Sequence, residues 1–318
     1  MNQAEAISKM RDILRRKHLA LSTEKSYCGW MVRYCEYLQI KQLFGSSENK
    51  IEQFLTHLAI KNVSASTQNQ ALNAIVFFYE NVVGQKIIGL DALRAKRPVH
   101  LRHAPSTQEV GDLIRFIQKT NDFSISLVVR ILYGCGLRVT EPLNLRIRDV
   151  QIPDGKFIIR GAKGGQDRMV SIPCSIIADL NEQIETAQSI WRKDQLNKIP
   201  TALPNLLSKK YPHYQFNLQW EWIFPANGVC RHPITNEIVR WRLHEANIQR
   251  AIRTACRKLN ISILPHELRH AYATHCLNGG QNPRAIQQAM GHKNLETTMG
   301  YLHAEAMSVK SPLELLPS

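Results

Sequence analysis

The sequence predicts a mostly α-helical protein with one small antiparallel β-sheet, divided into an N-terminal helical bundle and a larger α+β domain. Three observations predict it. Apolar residues recur at helical spacing up to about residue 95. A basic stretch containing Pro98 and Pro105 then interrupts the pattern. Past it, short β-prone runs separated by turn signals lie between further helical segments. A length of 318 residues also exceeds the usual one-domain size of about 100 to 200 residues, so two cores are expected. The expected divisions are residues 1–95, a linker at 96–105 and a second domain at 106–318.

In the first domain, Ala4 to Lys17 supplies the first of four expected helices. Tyr27, Trp30, Met31, Tyr34, Tyr37 and Leu38 keep the spacing of one apolar helical face. Ile51, Phe54, Leu55 and Leu58 do the same, followed by Leu72, Ile75, Val76, Tyr79, Val82 and Val83. Aromatic rings at that spacing belong in a core rather than against nucleobases. The stretch RAKRPVHLRHAP (94–105) is rich in Lys and Arg and suits an exposed linker lying along a phosphate backbone. Ser106 with Glu109 forms a capping-box pattern ahead of Val110, Leu113, Ile114 and Ile117, so a helix opens there. A second apolar helix runs from Ser124 to Tyr133 and ends at Gly134 and Gly136. DVQI, KFIIRGA and RMVSIP, separated by PDG and KGGQ turns, read as a three-stranded antiparallel sheet. Helices resume from Ile176 to Lys193 and again from about Leu243.

Lys and Arg number 41 against 26 Asp and Glu, a formal charge of +15. That balance is expected of a protein that meets polyphosphate, and nucleic acid leads the candidate partners. A basic enzyme with a small acidic substrate is the alternative. The seven cysteines form no CxxC pair, which argues against a disulfide framework or a four-thiolate zinc site and fits a reducing cytosol. No run approaches the roughly 20 apolar residues of a membrane span, and the charged start MNQAEAISKMRDILRR lacks the apolar core of a signal peptide.

Four stretches hold unusual polar groups: GCGLRVTE (134–141), GAKGGQDR (161–168), PHELRHAYATH (265–275) and MGHKNLETTMGYLH (290–303). Each alone is weak evidence. In this order, after a helical domain and a basic linker, they resemble the active site of the tyrosine recombinases, the phage-type integrases. The resemblance implies a core-binding DNA clamp at 1–95, a catalytic domain at 106–318, and cleavage and rejoining of DNA strands without metal or other cofactor. It also implies roles. Arg138 and Arg269 hold the scissile phosphate, since a guanidinium is permanently charged and binds oxygens bidentately. His266 and His292 add hydrogen-bond donors to the same oxygens. Tyr301 is the nucleophile that forms a phosphotyrosyl intermediate, and Lys163 is the general acid for the departing 5′ oxygen. Glu141, three residues after Arg138, orients the site without taking part in chemistry.

A competing motif is His266-Glu267-x-x-His270, the H-E-x-x-H spacing of zinc peptidases, for which Glu296 could supply a third ligand. Against it, Pro265 places the motif in the first turn of its helix, Arg269 sets a cation beside the metal, and Arg138, Lys163, His292 and Tyr301 go unexplained. A catalytically silent DNA-binding relative is the other alternative.

About 50 residues intervene between Arg192 and Leu243. This insert, at about 193–242, resembles the segment peculiar to the integron integrases, and SVKSPLELL (308–316) resembles their C-terminus. The resemblance implies insertion and excision of gene cassettes at a double-stranded attachment site and at a folded single-stranded hairpin with extrahelical bases. It implies a monomer that assembles into a tetramer on DNA by exchanging its tail (306–318), docking of the tail on its own domain being the alternative, in the bacterial cytoplasm with the nucleoid and away from membranes. Lys209 and Lys210 are the expected phosphate contacts, and Arg240 is a further expected DNA-binding residue. Trp220, Pro233 and Trp241 are the expected positions for extrahelical bases, and Trp222, facing the other way, is expected in the core. Three departures stand out. Arg240, Trp241 and Arg242 replace the usual Arg-His-His run, Pro142 follows Glu141 inside an expected helix, and Gly300 precedes Tyr301 where a larger apolar residue is usual.

Overall fold

The computed structural model describes residues 2–43, 45–89, 104–161, 167–204, 207–233 and 235–291. The chain folds as two compact units, 1–101 and 102–318. The first unit is built from α1 (Gln3–Arg16), α2 (Leu21–Lys41), α3 (Ser47–Ile60) and α4 (Ala65–Phe78). Asn2, Ser46 and Ser64 cap α1, α3 and α4 by accepting a hydrogen bond from a first-turn amide. Met10, Leu14, Trp30, Met31, Tyr34, Ile51, Phe54, Leu72 and Ile75 form its core, as the helical spacing predicts. The last stripe departs at its end. α4 continues as a π-turn, Tyr79–Val83, and the wider turn rotates the apolar face so that Phe78 is buried while Val83 is exposed. Glu24, almost buried, accepts two bonds from Arg15 (2.9 and 3.0 Å) and ties α1 to α2.

The second unit opens with α5 (Thr107–Thr120), whose N-terminus carries the predicted reciprocal capping box of Ser106 and Glu109. α6 (Phe123–Cys135) is almost wholly apolar and stops at Gly136, which has φ +60°. One helical turn follows, α7 (Thr140–Leu143), which accommodates Pro142 because a first turn needs no intrahelical amide. β1 (Val150–Gln151), β2 (Lys156–Ile159) and β3 (Arg168–Ser171) pair antiparallel in that order, with Phe157 opposite Val170 and Ile159 opposite Arg168. Phe157, Ile159 and Val170 point into the core shared with α5 and α6. α8 (Ile177–Leu196) follows. Beyond the insert come α10 (Glu245–Leu259), α11 (Pro265–Asn278) and α12 (Pro283–Met290).

The insert between α8 and α10 holds one turn of helix, α9 (Leu207–Lys210), two 3₁₀ turns (Pro212–Phe216 and Leu218–Trp220), and a hairpin of β4 (Pro225–Arg231) and β5 (Ile238–Arg242). Arg146 fastens it to the domain. Its guanidinium lies 3.6 Å over the ring of Trp222 and donates to the carbonyls of Trp220 and Ala202, the latter at 2.8 Å. Burial pushes that guanidinium down to about 9. The backbone of Leu145 to Ile147 pairs with Glu221 to Ile223 alongside.

Candidate active site

Three chain segments converge through two arginines. Arg138 follows the α6 C-terminus by three residues and is partly exposed; its amide and its Nη1 each donate to Glu141, both at 2.8 Å. Arg269 on α11 is buried and donates to the carbonyl of Gly136 and to that of Met290, both at 2.6 Å. It therefore joins the turn that carries Arg138 to the end of α12, two residues before position 292. Gly136 is required at that junction. Its φ is left-handed, and a Cβ there would overlap the ring of Tyr272. Burial pushes the Tyr272 phenol up to about 12.

Glu141 is buried, which by itself would raise its pKa; bonds from Arg168 and from the amide and guanidinium of Arg138 outweigh that and hold the carboxyl below its ordinary range. Arg168 was not singled out in the sequence. At the first position of a β-strand it reads as a solvated charge, yet it donates to both oxygens of Glu141 (3.0 and 2.7 Å) and to the carbonyl of Ala289 (2.7 Å). A cleft of about 250 Å³ opens beside this cluster, lined by Arg138, Glu141, Asn144, Arg160 and Gly161.

His266 lies in the exposed first turn of α11, its ring 5.6 Å from that of His270. Glu267, the centre of the H-E-x-x-H motif, accepts from the amide of Leu264 at 2.7 Å and caps the helix that Pro265 begins. The carboxylate of that motif is engaged as a cap. Lys163, His292, Glu296 and Tyr301 lie outside the described residues, as do most of the basic linker and the tail.

The expected DNA-binding residues of the insert separate into two groups. Lys209, Lys210 and Pro233 are exposed, and Trp241 is half-buried against His232. Two expectations are corrected. Arg240, expected to bind DNA, is buried and donates to both oxygens of Asp194 (2.6 and 2.7 Å) and to the carbonyls of Ala226 and Asn227, so all three of its nitrogens are engaged in closing the hairpin onto α8. Trp220, expected to offer a face to a base, is 9% exposed. One face of its ring stacks on Tyr214 (5.2 Å between centroids) and it also takes the guanidinium of Arg148 at 3.3 Å. Alternation along an extended segment suggested opposite environments for Trp220 and Trp222, but Trp220 closes a 3₁₀ turn and both rings are buried.

Arg138 and Arg160 line the cleft, and fixed guanidiniums of this kind suit the binding of a phosphodiester. Residues 106–307 match the phage integrase family and residues 7–88 match its N-terminal SAM-like domain. The chain belongs to that family and is a tyrosine site-specific recombinase. It is 31% identical over 327 residues to an integrase/recombinase of Escherichia coli, covering 100% of this chain and 95% of that protein. It is 26% identical over 263 residues to the tyrosine recombinase XerA of Pyrococcus horikoshii, covering 82% and 77%. In fold it is similar to the Tn1549 transposon integrase in complex with circular intermediate DNA (TM-score 0.64, 17% identity, 98% and 99% covered). The same holds for the XerH recombinase bound to its difH substrate (TM-score 0.63, 17% identity, 93% and 81% covered).

Proposed function

We propose that this recombinase is of the integron type, inserting and excising gene cassettes at a double-stranded attachment site and at a folded single-stranded site. The observation that carries the finer reading is the insert. It folds as short turns and a β-hairpin between α8 and α10, with Lys209, Lys210 and Pro233 exposed and the rings of Tyr211 and Trp241 half-buried. Aromatic faces of this kind bind an unstacked base with about 1 to 3 kcal/mol each. A hairpin with bases already extruded spares the cost of unstacking them.

In the reaction, the hydroxyl of Tyr301 gives up its proton to solvent as its oxygen attacks the scissile phosphorus and the bond to the 5′ oxygen breaks. That oxygen takes a proton from Lys163, and a 3′-phosphotyrosyl link remains. A 5′-hydroxyl of the partner strand, returning its proton to Lys163, then attacks the link, and Tyr301 leaves and regains a proton from solvent, so bond energy is conserved without ATP. Arg138, with His266, Arg269 and His292, stabilises charge on the non-bridging oxygens, and Glu141 orients Arg138. Four such chains act together on DNA, each lending its tail, 306–318, to a neighbour.

Binding of a hairpin bearing one extrahelical base, compared with its fully paired form, tests the integron reading. Trp241→Ala is expected to weaken the hairpin complex about 5- to 150-fold, from that stacking range, and to spare the duplex. Equal affinity of the unaltered protein for both forms would refute the reading.

A further inference from the structure

Arg168 is the first residue of β3 and lies five positions after Lys163 in the sequence. Its side chain is nearly buried and all three of its guanidinium nitrogens are used. Two donate in a fork to the carboxylate of Glu141, whose same two oxygens accept from the amide and Nη1 of Arg138. The third donates to the carbonyl of Ala289 in the last turn of α12. Gly291, at φ +65°, then lets the chain pass so close that a Cβ there would sit 3.0 Å from Arg168 Cδ.

The charges give this arrangement a direction. Glu141 paired with Arg138 alone would cancel the cation that the phosphate needs. With Arg168 on the other side of the carboxylate, one anion is shared by two cations, and the cluster keeps a net positive charge. The fork also fixes the carboxylate in one plane, which in turn fixes the rotamer of Arg138. The bond to Ala289 and the close approach of Gly291 hold the end of α12 against Arg168.

We propose that Arg168 is a positioning residue for strand cleavage, holding Arg138 through Glu141 and registering the hairpin strand against the end of α12. This rests on the reading in which Arg138 stabilises charge on the scissile phosphate. Arg168 itself touches no DNA in that role, so its loss slows chemistry without weakening binding.

The test is single-turnover cleavage of a nicked attachment-site duplex by the full chain, with DNA affinity and thermal midpoint measured in parallel. Arg168→Gln is expected to slow cleavage about 10- to 100-fold, by analogy with loss of a residue that orients a metal ligand, with affinity within about threefold of the unaltered protein. Arg168→Lys keeps the charge but not the fork and is expected to recover part of the rate. A second substrate separates positioning from general damage. A methylphosphonate at the scissile position has methyl in place of one non-bridging oxygen and is uncharged in the ground state, so less charge needs Arg138. On it, the gap between Arg168→Gln and the unaltered protein is expected to shrink several-fold. Equal rates on the phosphodiester, or an equal defect on both substrates, would overturn the proposal. If Arg168→Gln does not fold, the same comparison made with Arg168→Lys decides it. Failure of the unaltered protein to form any adduct would instead overturn the reading of the site itself.

Discussion

Arg240 of β5 and Asp194 of α8 meet as a parallel pair of hydrogen bonds, Nε to Oδ2 at 2.6 Å and Nη2 to Oδ1 at 2.7 Å, with both side chains buried. The pair is the bolt between the hairpin and the helix that precedes it. Breaking a buried pair from one side leaves an unpaired charge in a dry place and costs about 3 to 5 kcal/mol. Arg240→Met is therefore expected to lower unfolding stability by that amount in denaturant titration. Lys209→Ala, on the exposed α9, should leave stability within about 0.5 kcal/mol while reducing the salt dependence of DNA binding.

Trp220→Ala should behave as a core mutation. The ring is covered by Tyr214 and Arg148, and removing it is expected to cost about 3 to 5 kcal/mol and to weaken hairpin and duplex binding alike. Selective loss on the hairpin with an unchanged thermal midpoint would return Trp220 to the DNA-facing set.

Gly136→Ala places a side chain at φ +60° and against Tyr272. The left-handed backbone alone costs about 1 to 2 kcal/mol, and displacement of Tyr272 adds to it. The thermal midpoint should fall by more than it does for Gly155→Ala, where φ is +61° but no atom lies within 4 Å of the added carbon.

Glu141 sets an acid limit. Its carboxyl is held below the ordinary value in the folded chain, with burial opposing and the Arg168 and Arg138 bonds prevailing. A lowered folded value contributes stability that is complete above the unfolded pKa, about 4.3, and is lost as pH falls through the lowered one. Glu141→Gln should thus be less stable than the unaltered protein at pH 7, with the gap narrowing as pH falls below about 4. A gap that stays constant down to pH 2 would contradict this.

Much of the fold was legible because it follows from local rules. The capping box at Ser106 and Glu109, the stop at Gly136, the PDG turn and the three helical stripes of the bundle each depend on a few neighbouring residues. Arg138, Glu141 and Arg269 were legible through their motif neighbours. What escaped depends on partners distant in sequence. Arg168 reaches Glu141 across 27 positions and Ala289 across 121. Arg146 reaches Ala202 and Trp220 across an insert whose strands no alternation announced. Arg240 reads as a DNA-binding residue because charge is visible in a sequence and its partner, Asp194, 46 positions away, is not.

The central claim is that strand cleavage goes through Tyr301. The most direct measurement is covalent capture. A nicked oligonucleotide carrying the attachment site is incubated with the full chain in EDTA, and the adduct is digested and its peptide sequenced by mass spectrometry. The expected result is one adduct, at Tyr301, formed without metal and absent from Tyr301→Phe, which still binds DNA. An adduct in Tyr301→Phe, or one mapped to Tyr272, whose phenol burial raises to about 12, would contradict it.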